Sequence, residues 1–288
     1  MITSNEMQLK ALVKDFSAKY GITPQATLQM YCLERLLDRI AVSRFRDYFV
    51  IKGGFLIASI LGIGSRSTMD IDVTVKGFGV NYENIDSAFK EICNIDIADQ
   101  LTFSFNRIEE IRENDDYLGL RVFVECRYGK MNVPLTVDLT TGDAIIPRER
   151  EYMYKCVFED KKISVLAYPL ENVFAEKLDT IISRGVTNTR TRDFYDVYTL
   201  YTLKKKEMNF ETLRIALEAT SRRRNTFRIL KEYPQILEAI KADSVQNDFW
   251  RRFVAKNPFA KGITLAQAVD CAKEMLDLAE ISRLFEPL

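Results

Sequence analysis

The stretch KGGFLIASILGIGSRSTMDIDVTV, Lys52 to Val75, decides how this chain is read. Two adjacent glycines follow the apolar run YFVI, an apolar segment FLIASIL of helical length comes next, and the stretch closes on DIDVTV. In a strand successive side chains alternate faces, so Asp70 and Asp72 project to one side while Met69, Ile71 and Val73 supply core contacts on the other. Adjacent carboxylates repel and raise each other's proton affinity. A divalent cation converts that cost into coordination, and Mg²⁺ favours one or two carboxylates together with waters and phosphate oxygens. The bland alternative is an exposed strand that carries DxD by chance.

The surroundings favour the cation. Gly53 and Gly54, between a strand and a helix, let the backbone turn tightly and let amides approach a phosphate at a helix N-terminus; a plain tight turn would also use them. Ser65, Arg66, Ser67 and Thr68 add donors for anionic oxygens just before the aspartates. Asp138, in the alternating segment VPLTVDLTTGD with Asp143 close by, offers a third carboxylate. On a neighbouring strand it would complete a site able to hold two metal ions for in-line phosphoryl displacement. Asp138 ending an exposed strand before a turn is the competing reading.

Working outward, the chain before about Arg46 reads as helices, the second opening with Thr23 as cap and Pro24 as first residue. Strands follow at YFVI, TMDIDVTV, LTFSFNRIEEI, LGLRVFVECRYG and VPLTVDL, with NYENIDSAFKEICN helical between them. From Pro169 the periodicity is helical almost throughout, over 169–184, 191–206, 210–220, 224–241, 247–255 and 264–284. The expected class is α+β. A mixed-sheet domain flanked by helices, with N-terminal helices, spans 1–168, and a mainly helical domain over 169–288 packs against its active site.

Composition narrows the chemistry. The 288 residues carry 41 basic and 41 acidic side chains, so no whole-protein field draws a polyanion and any nucleic-acid contact must be local. There is no histidine, which excludes Ser-His-Asp and Cys-His catalysis, imidazole ligation and histidine bases. The five cysteines contain no CxxC pair, and the pattern fits a reducing cytoplasm. No apolar run approaches the roughly 20 residues of a membrane span, and MITSNEMQLKALVKDF lacks the apolar block of a secretory leader.

The glycine pair, helix, RST turn and DID strand resemble the polymerase-β-type nucleotidyltransferase superfamily. KGGFLI…GSRSTMDIDVTV followed by LENVFAEKLDTIISR…TRDFYDVYTLY is similar to the AbiEii nucleotidyltransferase toxins of type IV toxin–antitoxin and abortive-infection systems, from about Val50 to Tyr201. The resemblance implies a nucleotidyltransferase-type sheet and a metal-dependent enzyme that moves a nucleotide from an NTP to RNA. The acceptor it implies is the 3′ end of tRNA, with a cognate antitoxin as partner. Carried over by position, Gly53 and Gly54 would cradle triphosphate, Asp70 and Asp72 would hold Mg²⁺, and Lys177 and Asp193 would be the family's later Lys and Asp. The superfamily more usually has Gly-Ser at the glycine pair, so Gly54 here leaves more to backbone amides. Asp138 as third acid rests on strand logic alone.

On their own terms, Lys177 lies beside the apolar stripe Leu170, Phe174, Leu178 and Ile181, where it could snorkel or meet an anion. Asp193 could complement its helix N-terminus, and Arg192 and Asp196 have i,i+4 spacing. SRRRNTFRILK brings together Arg222, Arg223, Arg224, Arg228 and Lys231, and Lys204–Lys206 form a second run. These are candidate contacts to RNA phosphates, though a solvated helix face is the ordinary explanation. Two other functions stay open: the same fold acting on a protein or small-molecule hydroxyl, and a non-catalytic scaffold for a partner.

Overall fold

The alternating segments pair into one mixed sheet in the computed structural model, which describes residues 6–62, 64, 66, 68, 70–111 and 119–286. Its strands are β1 (Phe49–Lys52), β2 (Asp70–Val75), β3 (Thr102–Ile111), β4 (Gly119–Tyr128), β5 (Met131–Thr141), β6 (Arg150–Lys155) and β7 (Lys162–Ala167), in the spatial order β3-β4-β5-β2-β1-β7-β6. All of them belong to the first of two units, Met1–Gly142 with Arg150–Ala167. β1 sits near the centre, antiparallel to β2 and parallel to β7, and all four of its residues are buried. Such a strand needs a continuous apolar run, which FVI provides. β4 and β5 each bury alternate residues: Leu120, Val122, Val124 and Cys126 on one, Val133, Leu135, Val137 and Leu139 on the other. Each aliphatic side chain buried this way contributes about 1.5–3 kcal/mol before entropy is counted.

Among the described residues, four α-helices complete this unit: α1 (Glu6–Tyr20), α2 (Pro24–Val42), α3 (Gly53–Leu61) and α4 (Tyr82–Cys93). The Thr23 hydroxyl accepts the Ala26 amide at 3.2 Å and Pro24 occupies the first turn, as the sequence predicts. α4 is capped by Asn81 and buries Ile85, Ala88, Phe89 and Ile92. α2 also buries four charged side chains, Glu34, Arg35, Asp38 and Arg39. Arg39 makes a two-pronged bond to Asp99, both arms 2.8 Å, and Arg35 bonds Glu34 at 2.8 Å and Glu159 at 2.6 Å. Buried ions persist only when paired in this way.

The second unit, Asp143–Glu149 with Tyr168–Leu288, is helical: α5 (Leu170–Arg184), α6 (Thr191–Lys204), α7 (Phe210–Arg223), α8 (Tyr233–Ala242), α9 (Ser244–Lys256) and α10 (Leu265–Leu278). Phe174, Leu178, Ile181, Phe194, Val197, Leu213, Leu217, Leu237 and Met275 form its core. The 143–149 segment is held to α5 by Asn172, whose side chain accepts the Ile146 amide at 2.6 Å and donates to the Ala144 carbonyl at 2.7 Å. Two helices are shorter than their periodicity implies. The 224–241 segment is a 3-10 stretch at Phe227–Glu232 followed by α8, with Pro234 in the first turn of α8, where a missing amide costs nothing. The 264–284 segment stops at Leu278, and Glu280 adopts φ +52 before a short 3-10 turn.

Candidate active site

Strand register builds the site in the first unit. Lys52 on β1 lies opposite Asp72 on β2, Asp72 lies beside Asp138 on β5, and Asp138 lies opposite Arg121 on β4. Laterally paired residues share a face, so four adjacent strands present one row of charges reading cation, acid, acid, cation. Asp70 shares the face two residues along β2, beside Thr136. Ile71 and Val73 are fully buried on the other face. Met69 and Ser67 lie outside the described residues.

The glycine pair packs on this row. Gly53 has φ +59, and a Cβ there would come within 2.0 Å of the Asp72 Oδ2, so both the backbone twist and the close approach require glycine. The Gly54 amide, in the first turn of α3, donates to Asp72 Oδ2 at 2.9 Å. Gly54 therefore meets a carboxylate, where the sequence reading has it cradle a phosphate. Arg66, buried, donates from Nη1 to the Gly54 carbonyl at 2.7 Å, and a Cβ on Gly54 would sit 2.7 Å from that nitrogen. Thr68 donates to the Asp70 carbonyl at 3.2 Å and to its Oδ1 at 3.1 Å. Arg66 and Thr68 thus tie the glycine pair and the aspartate strand into one bracket.

Electrostatics follow from this packing. Burial first, and the neighbouring Asp70 second, push the Asp72 carboxyl up to about 6, with Asp138 adding to the rise. The Gly54 amide and Lys52 oppose it. Arg121 grips Asp138 with both arms of its fork, Nε to Oδ1 at 2.7 Å and Nη2 to Oδ2 at 2.6 Å. That bond raises the guanidinium's proton affinity, and Asp70 and Asp72 add to the rise. The donor set suits a hard divalent cation: oxygens only, two adjacent carboxylates on one face, and a like-charge cost that coordination would relieve. Asp143 belongs to the second unit and is not part of this row.

A second acidic cluster does not suit a metal. Glu34, Cys156 and Glu159 bring ligand atoms within 4.8 Å of one another. The Arg35 guanidinium already bonds all three, Cys156 Sγ at 3.1 Å included. Burial raises Glu34 and pushes the Cys156 thiol up to about 12, which keeps it protonated.

In the second unit, α5 and α6 bring Lys177 to Asp193, and its ammonium also reaches Asp196 Oδ2 at 3.1 Å. Asp196 thus pairs with Lys177 across two helices, a contact that i,i+4 spacing within α6 does not reveal. Both aspartates are buried, so this lysine meets anions and does not snorkel. Of the basic stretch, Arg224 is exposed but paired with acids of α5: its Nη1 lies 3.3 Å from the buried Asp179 and its Nη2 lies 3.5 Å from Glu176. Arg222 pairs with Glu218 at 2.8 Å and stacks over Phe227, whereas Arg228 is exposed. Arg223 is half-buried near the end of α7.

Lys52 and Arg121 enter as site residues only through the structure. Arg121 occupies a solvent-facing position in the alternation of LGLRVFVECRYG, which is its one linear signal. No helix among the described residues is long and apolar enough to cross a membrane. Two solved structures from Helicobacter pylori are similar in fold: one described as a candidate nucleotidyltransferase, 17% identical with a TM-score of 0.48, covering 93% of this chain and 100% of its own. The other, JHP933, is 18% identical with a TM-score of 0.47, covering 91% of this chain and 96% of its own. No curated protein matches the chain. The family model described as nucleotidyl transferase AbiEii toxin, type IV toxin–antitoxin system, matches residues 35–270, a span that includes the glycine pair, the aspartate strand, Lys177 and Asp193. The chain belongs to the AbiEii nucleotidyltransferase toxin family.

Proposed function

We propose that this chain transfers a nucleotide from an NTP to the 3′ end of tRNA with Mg²⁺, and that a cognate antitoxin restrains it. The observation that carries the reading is the contact between the glycine turn and the aspartate strand, in which Gly54 donates to Asp72 beside Asp70 and Asp138. Asp70 and Asp72 hold the cation, with Asp138 as third acid. When bound, the cation would offset the charge of the triphosphate and of the phosphoryl oxygens as the bond to the leaving group lengthens. The N-terminal turn of α3, with Gly53 and Ser67, receives phosphate oxygens. Asp72 anchors the Gly54 amide and so fixes the turn against the strand.

In the transfer, the acceptor hydroxyl oxygen bonds to the α-phosphorus, the bond to pyrophosphate breaks, pyrophosphate leaves with the electron pair, and the hydroxyl proton passes to solvent. Lys177 offers positive charge to phosphate oxygens, and Asp193 orients its ammonium. Arg222, Arg223 and Arg228 contact RNA phosphates, whereas Arg224 acts through its ion pairs with α5.

Purified protein incubated with labelled NTPs, Mg²⁺ and total tRNA is expected to label the RNA, and Asp70→Ala and Asp72→Ala are expected to abolish labelling. Labelling by either variant at the parent's rate would overturn the site assignment.

A further inference from the structure

Both carboxylate oxygens of Asp138 already face a cation. The Arg121 fork satisfies Oδ1 and Oδ2 together at 2.7 and 2.6 Å, the planar two-point geometry that distinguishes a guanidinium from a simple point charge. Register fixes the pair, since Arg121 and Asp138 lie directly opposite on β4 and β5. The Arg121 side chain is 40% exposed and that of Asp138 15% exposed, so the guanidinium sits on the open side of the carboxylate. A divalent ion held by Asp138 would put two more positive charges against that guanidinium.

We propose that Arg121 is a positioning residue that competes with a divalent cation for Asp138, so that coordination by Asp138 requires the guanidinium to move away. This rests on the metal-dependent reading above and deepens it: Asp70 and Asp72 form the standing cation site, and Asp138 joins only by exchange. The displaced guanidinium, still within the field of Asp70 and Asp72, becomes available to an anionic oxygen of the nucleotide.

Mn²⁺ alone, titrated into the full chain and followed by electron paramagnetic resonance, tests the exchange without turnover. Arg121→Gln is expected to bind Mn²⁺ about tenfold tighter than the parent, the equivalent of losing one charge-assisted bond. Asp138→Asn should cancel that gain in the double variant, and Arg121→Lys should fall between parent and Arg121→Gln because an ammonium cannot occupy both oxygens in a planar fork. Parent-like affinity in Arg121→Gln would overturn the proposal. So would a gain that persists alongside Asp138→Asn, which would mean that Arg121 acts only through its field on Asp70 and Asp72. Failure of the metal reading looks different: the parent itself binds no Mn²⁺, or binds it equally well with Asp70→Asn and Asp72→Asn, and the exchange falls with it. Arg121→Lys keeps the charge and guards against a loss of fold in Arg121→Gln.

Discussion

Asp72 is held at a cost that its position makes useful. Its folded-state value of about 6 lies above the ordinary 3.8, because burial and Asp70 disfavour the charged form. Between those two pH values the folded chain keeps a proton that the unfolded chain has released, so stability falls as pH rises through that window. Above it the full penalty applies, on the order of 2–3 kcal/mol. Asp72→Asn removes the charge and keeps an oxygen for the Gly54 amide. In chelator it is expected to melt higher than the parent at pH 8, with the two curves meeting below about pH 4, while nucleotide transfer is lost. A lower melting temperature across the whole range would refute the account. Gly53→Ala works in the opposite direction: a left-handed backbone costs alanine about 1–2 kcal/mol, and its Cβ would displace the Asp72 carboxylate. Both the melting temperature and Mn²⁺ affinity should drop. At this scale the sequence is informative about residue type. Adjacent acids, paired glycines and the missing histidine are visible in it, but Lys52 and Arg121 are not, because cross-strand register has no linear signature.

At the scale of elements, periodicity identifies most strands and helices because burial sets it: Leu120, Val122 and Val124 alternate, and Ile85, Ala88, Phe89 and Ile92 follow a helical stripe. It misreads the 224–241 segment, where apolar spacing continues through a 3-10 turn and only Pro234 marks the restart. It also misses why Lys177 is where it is. The lysine ties α5 to α6 by neutralising Asp193 and Asp196, a link between separate helices that no single-helix pattern contains. Lys177→Met takes the shared ammonium from two buried carboxylates, leaving Asp193 the more exposed Arg190 at 3.7 Å, and is expected to cost about 3 kcal/mol. Combining it with Asp193→Asn and Asp196→Asn should restore most of the melting temperature. If the lysine also serves phosphate, the triple variant, though folded, will still fail to label tRNA. Recovery of labelling would reduce Lys177 to a structural tie.

For the whole molecule, equal numbers of acidic and basic residues mean that the proposed RNA acceptor would gain no help from net charge, and its affinity would have to come from a few local contacts. The basic run at the end of α7 looks like one patch in the sequence, but the fold splits its labour. Arg224 is tied to Asp179 and Glu176, and Asp179 is buried deeply enough that its proton affinity is raised. Arg228 remains exposed. The two should therefore separate cleanly in experiment. Arg224→Gln should lower stability by about 1–3 kcal/mol, because a buried carboxylate loses its charged partner, while the salt dependence of tRNA binding stays as in the parent. Arg228→Gln should leave the melting temperature unchanged and reduce the slope of log affinity against log salt by about one, the signature of a single lost phosphate contact. Binding isotherms at several salt concentrations and one melting curve per variant decide between them. If Arg228→Gln leaves the slope untouched, the RNA contacts lie elsewhere on the molecule and the basic run is a solvated helix face.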